Sequence, residues 1–215
     1  NSYNKMSKSD CRYNMYINIL KEELVPAMGC TEPICLAYAA AKAREILGET
    51  PEKVDILASG NIIKNVKSVI VPNTNGMKGL KASVAIGIIG GNAAKELEVI
   101  ANVTEDEKQK TKEFLETTPM TITHINSQEQ LDVTVKLYKD NHHASVRISG
   151  FHTNIVYIQK DDTVLFESTT IGKPSANLTD RSILSMEGIY DFANKVEIND
   201  VKEILKRQLE YNKAI

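Results

Sequence analysis

Apolar residues in the first part of the chain recur at the three-to-four-residue spacing typical of amphipathic helices. The first such segment follows Ser9 or Asp10, either of which can cap a helix start, and Pro26 interrupts it. A second helix is predicted from about Glu32 to Leu47, with Gly48 as its C-terminal stop. Because alanine occupies every side of this second segment, we expect it to pack closely against its neighbours.

Shorter segments with a different period follow. Residues 54–58 alternate between apolar and polar, as a strand should, and the break Ser59-Gly60-Asn61 ends them. Residues 66–71 are predicted as another strand, ending at Pro72. The apolar segment 80–89 fits a helix or a buried strand equally well.

A capping box, Thr104 with Glu107, predicts a charged helix that extends to about Leu115. Beyond it the chain alternates with period two, and five strands are predicted: 120–125, 131–138, 144–149, 154–158 and 164–167. Turn residues at 139–141 and 160–162 join successive strands, which predicts an antiparallel meander. The expected class is α+β, a helical body with an inserted antiparallel β-meander subdomain.

Three regions are expected on this basis. Residues 1–118 form the helical body with a short strand pair, and residues 119–168 form the β subdomain. Residues 169–215 comprise a linker and C-terminal helices that return to the body. Asp180 is predicted to cap the first of these helices, and Asn199 or Asp200 to open the last.

Composition excludes several classes of function. A net charge of −2, with scattered basic residues, gives no electrostatic reason to bind nucleic acid. The longest apolar run, residues 82–91, is too short to cross a bilayer, and the first residues lack a secretory pattern, so a cytoplasmic protein is expected. Three cysteines, an odd number, argue against a disulfide scaffold. The sequence leaves the oligomeric state open, with a homo-oligomer among the options.

The segment Gly29 to Cys35 places Cys30 just ahead of a helix that Thr31 can cap, with Pro33 in its first turn. Unpaired N–H groups at a helix start favour anions, so the thiolate should form more easily there and could bind a metal or act as a nucleophile. Buried packing is the alternative for Cys30. Core packing is favoured for Cys35, and a structural role for Cys11.

Two polar loops are further candidates. Residues 73–79 are punctuated by glycine, and if a helix begins near Met77, its first N–H groups suit a carboxylate; an ordinary turn is the alternative. Ser59-Gly60-Asn61, with Lys64 and Asn65, lies at a strand end, where sites often collect. The four histidines are interpreted as surface or hydrogen-bonded, partly buried residues rather than metal ligands: His124, His142, His143 and His152.

Three motifs together resemble the L-cysteine desulfidase family, which is related to the iron–sulfur L-serine dehydratases. They are Gly-Cys-Thr-Glu-Pro at 29–33, Ser-Gly-Asn-Ile-Ile-Lys-Asn at 59–65 and Pro-Asn-Thr-Asn-Gly-Met-Lys-Gly at 72–79. The resemblance covers nearly the whole chain in order and spacing. It implies a lyase without pyridoxal phosphate that converts L-cysteine to pyruvate, ammonia and hydrogen sulfide with a 4Fe-4S cluster.

The resemblance also implies residue roles. Cys30 would be one cluster ligand. The substrate, a small amino acid, would be bound by residues of the two polar loops: Ser59, Asn61, Asn73, Thr74, Asn75, Gly76, Lys78 and Gly79. Glu32 is the candidate general base because of its proximity to Cys30 in sequence.

The chain departs from the family in length. Family members are about twice as long, and their other cluster cysteines lie in the second half, so this chain is expected to be an N-terminal portion that is inactive alone. L-Serine dehydratase is an alternative activity, since hydroxide and hydrosulfide are both β leaving groups. An alternative of another class is a non-catalytic amino-acid-binding or regulatory module.

Overall fold

A computed structural model describes residues 6–24, 30–168 and 179–213 of the chain. Its helices and strands are α1 (Cys11–Glu23), α2 (Thr31–Leu47), β1 (Lys53–Ser59), α3 (Gly60–Val66), α4 (Gly79–Gly90), α5 (Glu105–Thr117), β2 (Met120–Ile125), β3 (Asp132–Lys139), β4 (His142–Ser149), β5 (Ile155–Lys160), β6 (Thr163–Glu167), α6 (Met186–Lys195) and α7 (Ile198–Lys213). Two short 3-10 helices, Ala93–Glu98 and Arg181–Ile183, complete the described elements. The predicted α+β class is confirmed.

The chain divides into two compact units. The smaller unit contains the described residues 6–24 and 179–213, and the larger unit contains residues 30–168. The predicted boundary at residue 118 does not separate units, because strands on both sides of it share one sheet. Most of the predicted linker, residues 169–178, lies outside the described residues, as does Pro26.

The smaller unit contains α1, α6 and α7 around an aromatic core. Phe192 stacks on Tyr16 with ring centroids 5.1 Å apart, and it meets Tyr13 at 5.5 Å. Asp10 caps α1, as predicted, with its side chain accepting from the Arg12 amide. Asp180 caps only the 3-10 helix, and it is Ser185 that caps α6. The helix predicted after Asp180 therefore begins one short turn later.

The larger unit is built on a six-stranded sheet with the order β2-β1-β3-β4-β5-β6. The last four strands form the predicted antiparallel meander. The prediction was wrong for residues 120–125, because β2 pairs in parallel with β1, with Val54 opposite Met120. A parallel pair needs a long crossover connection, and residues 60–119, which contain α3, α4 and α5, supply it.

The core of the larger unit lies between α2 and one side of the sheet, since α2 packs on β3 and β4. Alternate residues of the central strands are fully buried there: Val54, Ile56, Ala58, Val133, Val135, Leu137, Ala144, Val146 and Ile148. The alanines of α2 are buried too, which confirms the close packing expected of that helix.

Helices α2 and α4 approach each other so closely that their backbones almost touch. A Cβ added at Gly87 would lie 2.3 Å from the carbonyl oxygen of Ala37, and one at Gly91, just after α4, would lie 2.8 Å from the Cβ of Ala41. Because 37 faces 87 and 41 faces 91, both helices run in the same direction. Their N-termini therefore lie at the same end of the pair.

Three other segments of the sequence have clear outcomes. The capping box of Thr104 and Glu107 is present at the start of α5. The strand predicted at residues 66–71 was wrong: α3 continues to Val66, and Ile70 makes only an isolated bridge with Lys78. The ambiguous segment 80–89 is helical, as part of α4.

Among the described residues, no helix has both the length and the apolar character needed to cross a bilayer.

Candidate functional site

The first turn of α2 carries the cysteine that the sequence singled out. Cys30 occupies the N-cap position in extended backbone, and its side chain makes no capping hydrogen bond. Thr31 was predicted to be the cap, but it is the first residue of the helix, which places Pro33 third. Proline is tolerated in a first turn because its missing N–H has no partner there. Gly29 of the motif lies outside the described residues.

Cys30 and Glu32 interact directly: the thiol donates a hydrogen bond to Glu32 Oε2, with Sγ and Oε2 2.9 Å apart. The pKa of Cys30 is raised by partial burial of the sulfur and by this hydrogen bond to the carboxylate. The expectation of an easily formed thiolate was therefore wrong for this arrangement, since these two effects outweigh the helix start. The same hydrogen bond lowers the pKa of Glu32, which is ionised at neutral pH.

His152 also contacts this turn. Its Nε2 is 3.0 Å from Thr31 Oγ1, so the imidazole and the hydroxyl share a hydrogen bond. Burial lowers the pKa of His152, against the opposing effect of the Glu32 carboxylate, and favours the neutral ring. The sequence allowed a hydrogen-bonded, partly buried histidine here but gave no sign of its position next to Cys30.

A polar pocket of about 390 Å³ opens beside this turn. Its lining comes from α2, α3 and the two chain segments that flank β3 and β4: Glu32, Asn61, Ile62, Gln128, Glu129, Gln130, Leu131, Gly150, Phe151 and His152. Glu32 and Asn61 are the predicted site residues that the pocket brings together. His152 and the segment 128–130 are lining residues that the sequence prediction missed.

Hydrogen bonds hold the walls of the pocket in place. Ser59 is buried, and its hydroxyl donates to the carbonyl of Gln130 at 2.5 Å. The amide of Gly150 donates to the carbonyl of Leu131 at 2.9 Å. The Asn154 side chain donates to the carbonyl of Ser149 at 2.8 Å. Ser59 thus supports the site rather than lining it.

An ion pair with a buried carboxylate lies next to these walls, at the start of β3. Asp132 is fully buried and accepts two hydrogen bonds from Arg147, at 2.9 and 2.7 Å. Ser127 adds a third hydrogen bond to the same carboxylate, at 2.6 Å. These bonds tie the segment that leads into β3 to the neighbouring strand β4, so the pocket is preformed.

The loop at residues 73–79 uses its polar side chains to hold its own shape. Asn73 Nδ2 donates to the carbonyl of Ile100 at 2.9 Å. The hydroxyl of Thr74, which is buried, donates to the carbonyl of Val71 at 2.6 Å. Neither side chain is therefore the uncommitted neutral donor that the sequence prediction expected at a ligand.

The second half of this loop is more open. Asn75 Nδ2 donates to Glu105 Oε2 at 2.8 Å, which ties the loop to α5. Asn75, Gly76 and Gly79 have φ values of 56°, 90° and 91°, in the left-handed region where glycine and asparagine are best tolerated. Lys78 is exposed at the N-cap of α4. The loop does not line the pocket of Glu32 and Asn61.

The parallel arrangement of α2 and α4 nevertheless relates the loop to Cys30. The loop leads into the N-terminus of α4, Cys30 precedes the N-terminus of α2, and both N-termini lie at one end of the helix pair. The two strongest sequence candidates therefore share one end of the larger unit. Two positive helix ends at this place favour an anionic group between or beside them.

The cysteines differ sharply in access. Cys35 is fully buried, and burial raises its pKa, which agrees with the predicted core packing. Cys11 is exposed on α1, in the smaller unit, where a packing role is not supported. Within residues 6–24, 30–168 and 179–213, no three histidine, cysteine or acidic side chains converge to hold a metal ion. A 4Fe-4S cluster needs three or four such ligands, so the described residues fit one ligand position, Cys30, and do not complete a cluster site.

The remaining candidates lie away from the pocket lining. Lys64 and Asn65 are exposed on α3. His142 Nδ1 is 3.0 Å from Asp161 Oδ2 at the exposed turn between β5 and β6. His124, at the end of β2, comes so close to Gly60 that a Cβ there would lie 3.0 Å from its Nε2.

No family model matches the chain, and no solved structure matches it. The chain is similar to UPF0597 proteins. It is 49% identical over 210 residues to a UPF0597 protein of Desulfitobacterium hafniense (strain Y51), which covers 98% of this chain and 49% of that protein. A UPF0597 protein of Lachnoclostridium phytofermentans is 46% identical over 203 residues, covering 94% and 48% of the two chains. One of Treponema denticola is 45% identical over 213 residues, covering 98% and 49%. The chain thus spans about half the length of the curated relatives it matches.

Proposed function

We propose that the chain is the N-terminal portion of an iron–sulfur-dependent lyase, independent of pyridoxal phosphate, that degrades L-cysteine to pyruvate, ammonia and hydrogen sulfide. Its support is the set of three motifs that resemble the L-cysteine desulfidase family. The structural observation that carries it is the contact between the Cys30 thiol and the Glu32 carboxylate at a preformed polar pocket. The names of the relatives specify no reaction and add no support.

Eliminating sulfide from L-cysteine requires a base that removes the α proton. Glu32 is assigned this role because its carboxylate is ionised and lies beside Cys30, at the end of the α2–α4 pair where α4 also begins. The substrate carboxylate is assigned to the backbone N–H groups at the start of α4, since the side chains of Asn73 and Thr74 are already bonded within the protein.

Cys30 contributes one thiolate to the cluster in this proposal. The cluster, when bound, would supply Lewis acidity to the leaving group. We assign the other cluster ligands to the part of the longer relatives that this chain does not match. A cytoplasmic setting is part of the proposal, because it keeps three unpaired cysteines reduced.

The test compares the full-length Desulfitobacterium hafniense relative with this chain alone, after anaerobic iron–sulfur reconstitution of both. The full-length protein should bind about four irons and release sulfide from L-cysteine, whereas this chain alone should do neither. Replacing the residue aligned with Cys30 by alanine should abolish the cluster absorbance and the activity together. The matched control is alanine at the position aligned with the buried Cys35, which should leave cluster absorbance in place.

Two outcomes would contradict the proposal. A higher kcat/KM for L-serine than for L-cysteine would assign L-serine dehydratase activity. Amino-acid binding without turnover, unaffected by loss of the Cys30 thiol, would assign a binding or regulatory module.

A further inference from the structure

The smaller unit exposes apolar side chains on one side of each of its last two helices. On α7, Ile198, Leu205 and Leu209 are 77%, 47% and 60% exposed. Their spacing of seven and four residues places them on the same side of the helix. Val201, which is buried, lies three residues after Ile198 and four before Leu205, and Ile204 packs against the same aromatic core, so both lie beside the exposed residues. Helix α7 therefore carries one broad apolar side, of which the aromatic core covers one part while Ile198, Leu205 and Leu209 stay exposed.

Helix α6 also exposes apolar residues. Met186, Ile189 and Tyr190 are exposed, at positions that share one side of the helix. Phe192 lies on the other side, in the core against Tyr13 and Tyr16. The six exposed residues of α6 and α7 are called the apolar side of the smaller unit.

Charged residues border the exposed apolar residues of α7 along one flank. Lys206 and Glu210 are exposed and 3.9 Å apart, and Lys202 and Glu203 are exposed as well. An apolar centre with a charged border is the usual composition of a protein–protein contact. Isolated exposed apolar residues need no explanation, but two successive helices with such sides indicate an interaction surface.

The comparison with relatives indicates what covers this surface. The match to the Desulfitobacterium hafniense protein includes 98% of this chain, so α6 and α7 lie within the shared region. The same match covers only 49% of that protein, which therefore carries about as much polypeptide again. A segment of the same polypeptide reaches such a surface at a high effective concentration, which a separate partner lacks.

We propose that the apolar side of the smaller unit is the docking surface for the part of the full-length protein that this chain does not match. The contact orders α6 and α7 against that part and leaves their inner sides on the aromatic core. This inference concerns assembly and is independent of the proposed lyase activity.

Cysteine labelling tests the contact. Leu205→Cys and Leu209→Cys are made in this chain, and cysteine is placed at the aligned positions of the full-length Desulfitobacterium hafniense protein. Maleimide labelling is followed by peptide-resolved mass spectrometry, which separates the new thiols from Cys11 and Cys30. Labelling at both positions should be at least about tenfold slower in the full-length protein. Glu203→Cys, nearly half a turn away on α7, is the matched control and should label at similar rates in both proteins.

Equal labelling rates at positions 205 and 209 in the two proteins would overturn the proposal. A second measurement excludes a second copy as the occupant. Light scattering should show this chain as a monomer. If it is a dimer, and the Leu205→Glu, Leu209→Glu double variant dissociates that dimer, the surface is assigned to self-association instead. Lys206→Glu is the control for the change in charge. Both leucines are exposed, so these variants should fold, which far-UV circular dichroism checks.

Discussion

Thr31 and His152, 121 residues apart in sequence, share a hydrogen bond of 3.0 Å between Oγ1 and Nε2. Thr31 stands between Cys30 and Glu32, and the start of α2 has no side-chain cap. This bond therefore fixes the turn that carries both residues to the segment that follows β4. It makes His152 a positioning residue for the candidate site.

Removing this hydrogen bond should loosen the turn. Thr31→Val keeps the shape of the side chain but leaves the His152 ring without its partner, so the free energy of unfolding of the larger unit should fall by about 1 kcal/mol. Thr31→Ser keeps the hydroxyl and should retain most of the stability. Urea titration measures both variants, and a Thr31→Val, His152→Ala double mutant shows whether the two losses are coupled. Additive losses would contradict the pairing.

Because α2 and α4 are in close contact, a glycine-to-alanine substitution between them should lower the free energy of unfolding instead of raising it. Replacing glycine by alanine inside a helix normally stabilises it by about 1 kcal/mol. At Gly87 the new Cβ would meet the backbone of Ala37, so Gly87→Ala should instead destabilise by about 1–3 kcal/mol or more. Gly90→Ala is the control, because its new Cβ meets side-chain atoms alone, the methyl groups of Val103 and the carboxylate of Glu107. Urea titration should separate the two; equal stabilities would disprove the backbone contact.

The three cysteines should differ in reactivity and in tolerance of substitution. In the folded chain, iodoacetamide should modify Cys11 and Cys30 and leave the buried Cys35 unmodified, which peptide mapping by mass spectrometry checks. Cys35→Ser places a hydroxyl in an apolar core and should cost about 1–3 kcal/mol of unfolding free energy. Cys11→Ser should change it by less than about 0.5 kcal/mol. Rapid labelling of Cys35 in the native protein would contradict the packing of α2.

Glu22 should make the smaller unit sensitive to acid. The Thr179 hydroxyl and amide, together with Arg181, lower the pKa of Glu22 below its usual value. A carboxyl whose pKa is lower in the folded state stabilises the fold above its unfolded pKa, and this stability disappears as the pH falls through the folded pKa. Thermal unfolding of the smaller unit should therefore lose stability between about pH 5 and pH 3, and Glu22→Gln should flatten this dependence. Glu203→Gln, at an exposed position, should leave the pH profile unchanged.

Asn75 tests how the loop at residues 73–79 acts. Asn75→Ala removes the hydrogen bond to Glu105 and strains a residue with φ of 56°, whereas Asn75→Gly removes only the bond. If the backbone of the loop holds the substrate carboxylate, alanine at the aligned position of the full-length relative should raise KM for L-cysteine more than glycine does. Steady-state sulfide release measures both. An unchanged KM in the alanine variant would remove the loop from the site.

Local signals in the sequence were sufficient for many elements. The capping box of Thr104 and Glu107 and the stop at Gly48 depend on residues within one or two helical turns, and both are present. The strand predicted at residues 66–71 was wrong because an apolar, β-branched run fits a helix end followed by a turn as well as a strand. The isolated bridge between Ile70 and Lys78 is what distinguishes the helix end and turn from a full strand.

Contacts between distant residues could not be predicted from the pattern. The parallel pairing of β2 with β1 depends on the path of residues 60–119, which alternation within a strand does not encode. His152 reaches Thr31 only because the sheet brings the end of β4 to the start of α2. The sequence therefore found Cys30, Glu32 and Asn61 but missed the histidine beside them. It also misjudged Cys30 itself, since the effect of Glu32 on the thiol pKa depends on a side-chain contact.

The glycine contacts between α2 and α4 have a mechanical consequence. With Ala37 against Gly87 and Ala41 against Gly91, neither helix can slide or rotate along the other without backbone collision. The two helix starts therefore keep a fixed separation whether or not a ligand is present. Any ligand-dependent movement must come from the short segments outside this pair, and the geometry of the candidate site at its end is set when the chain folds.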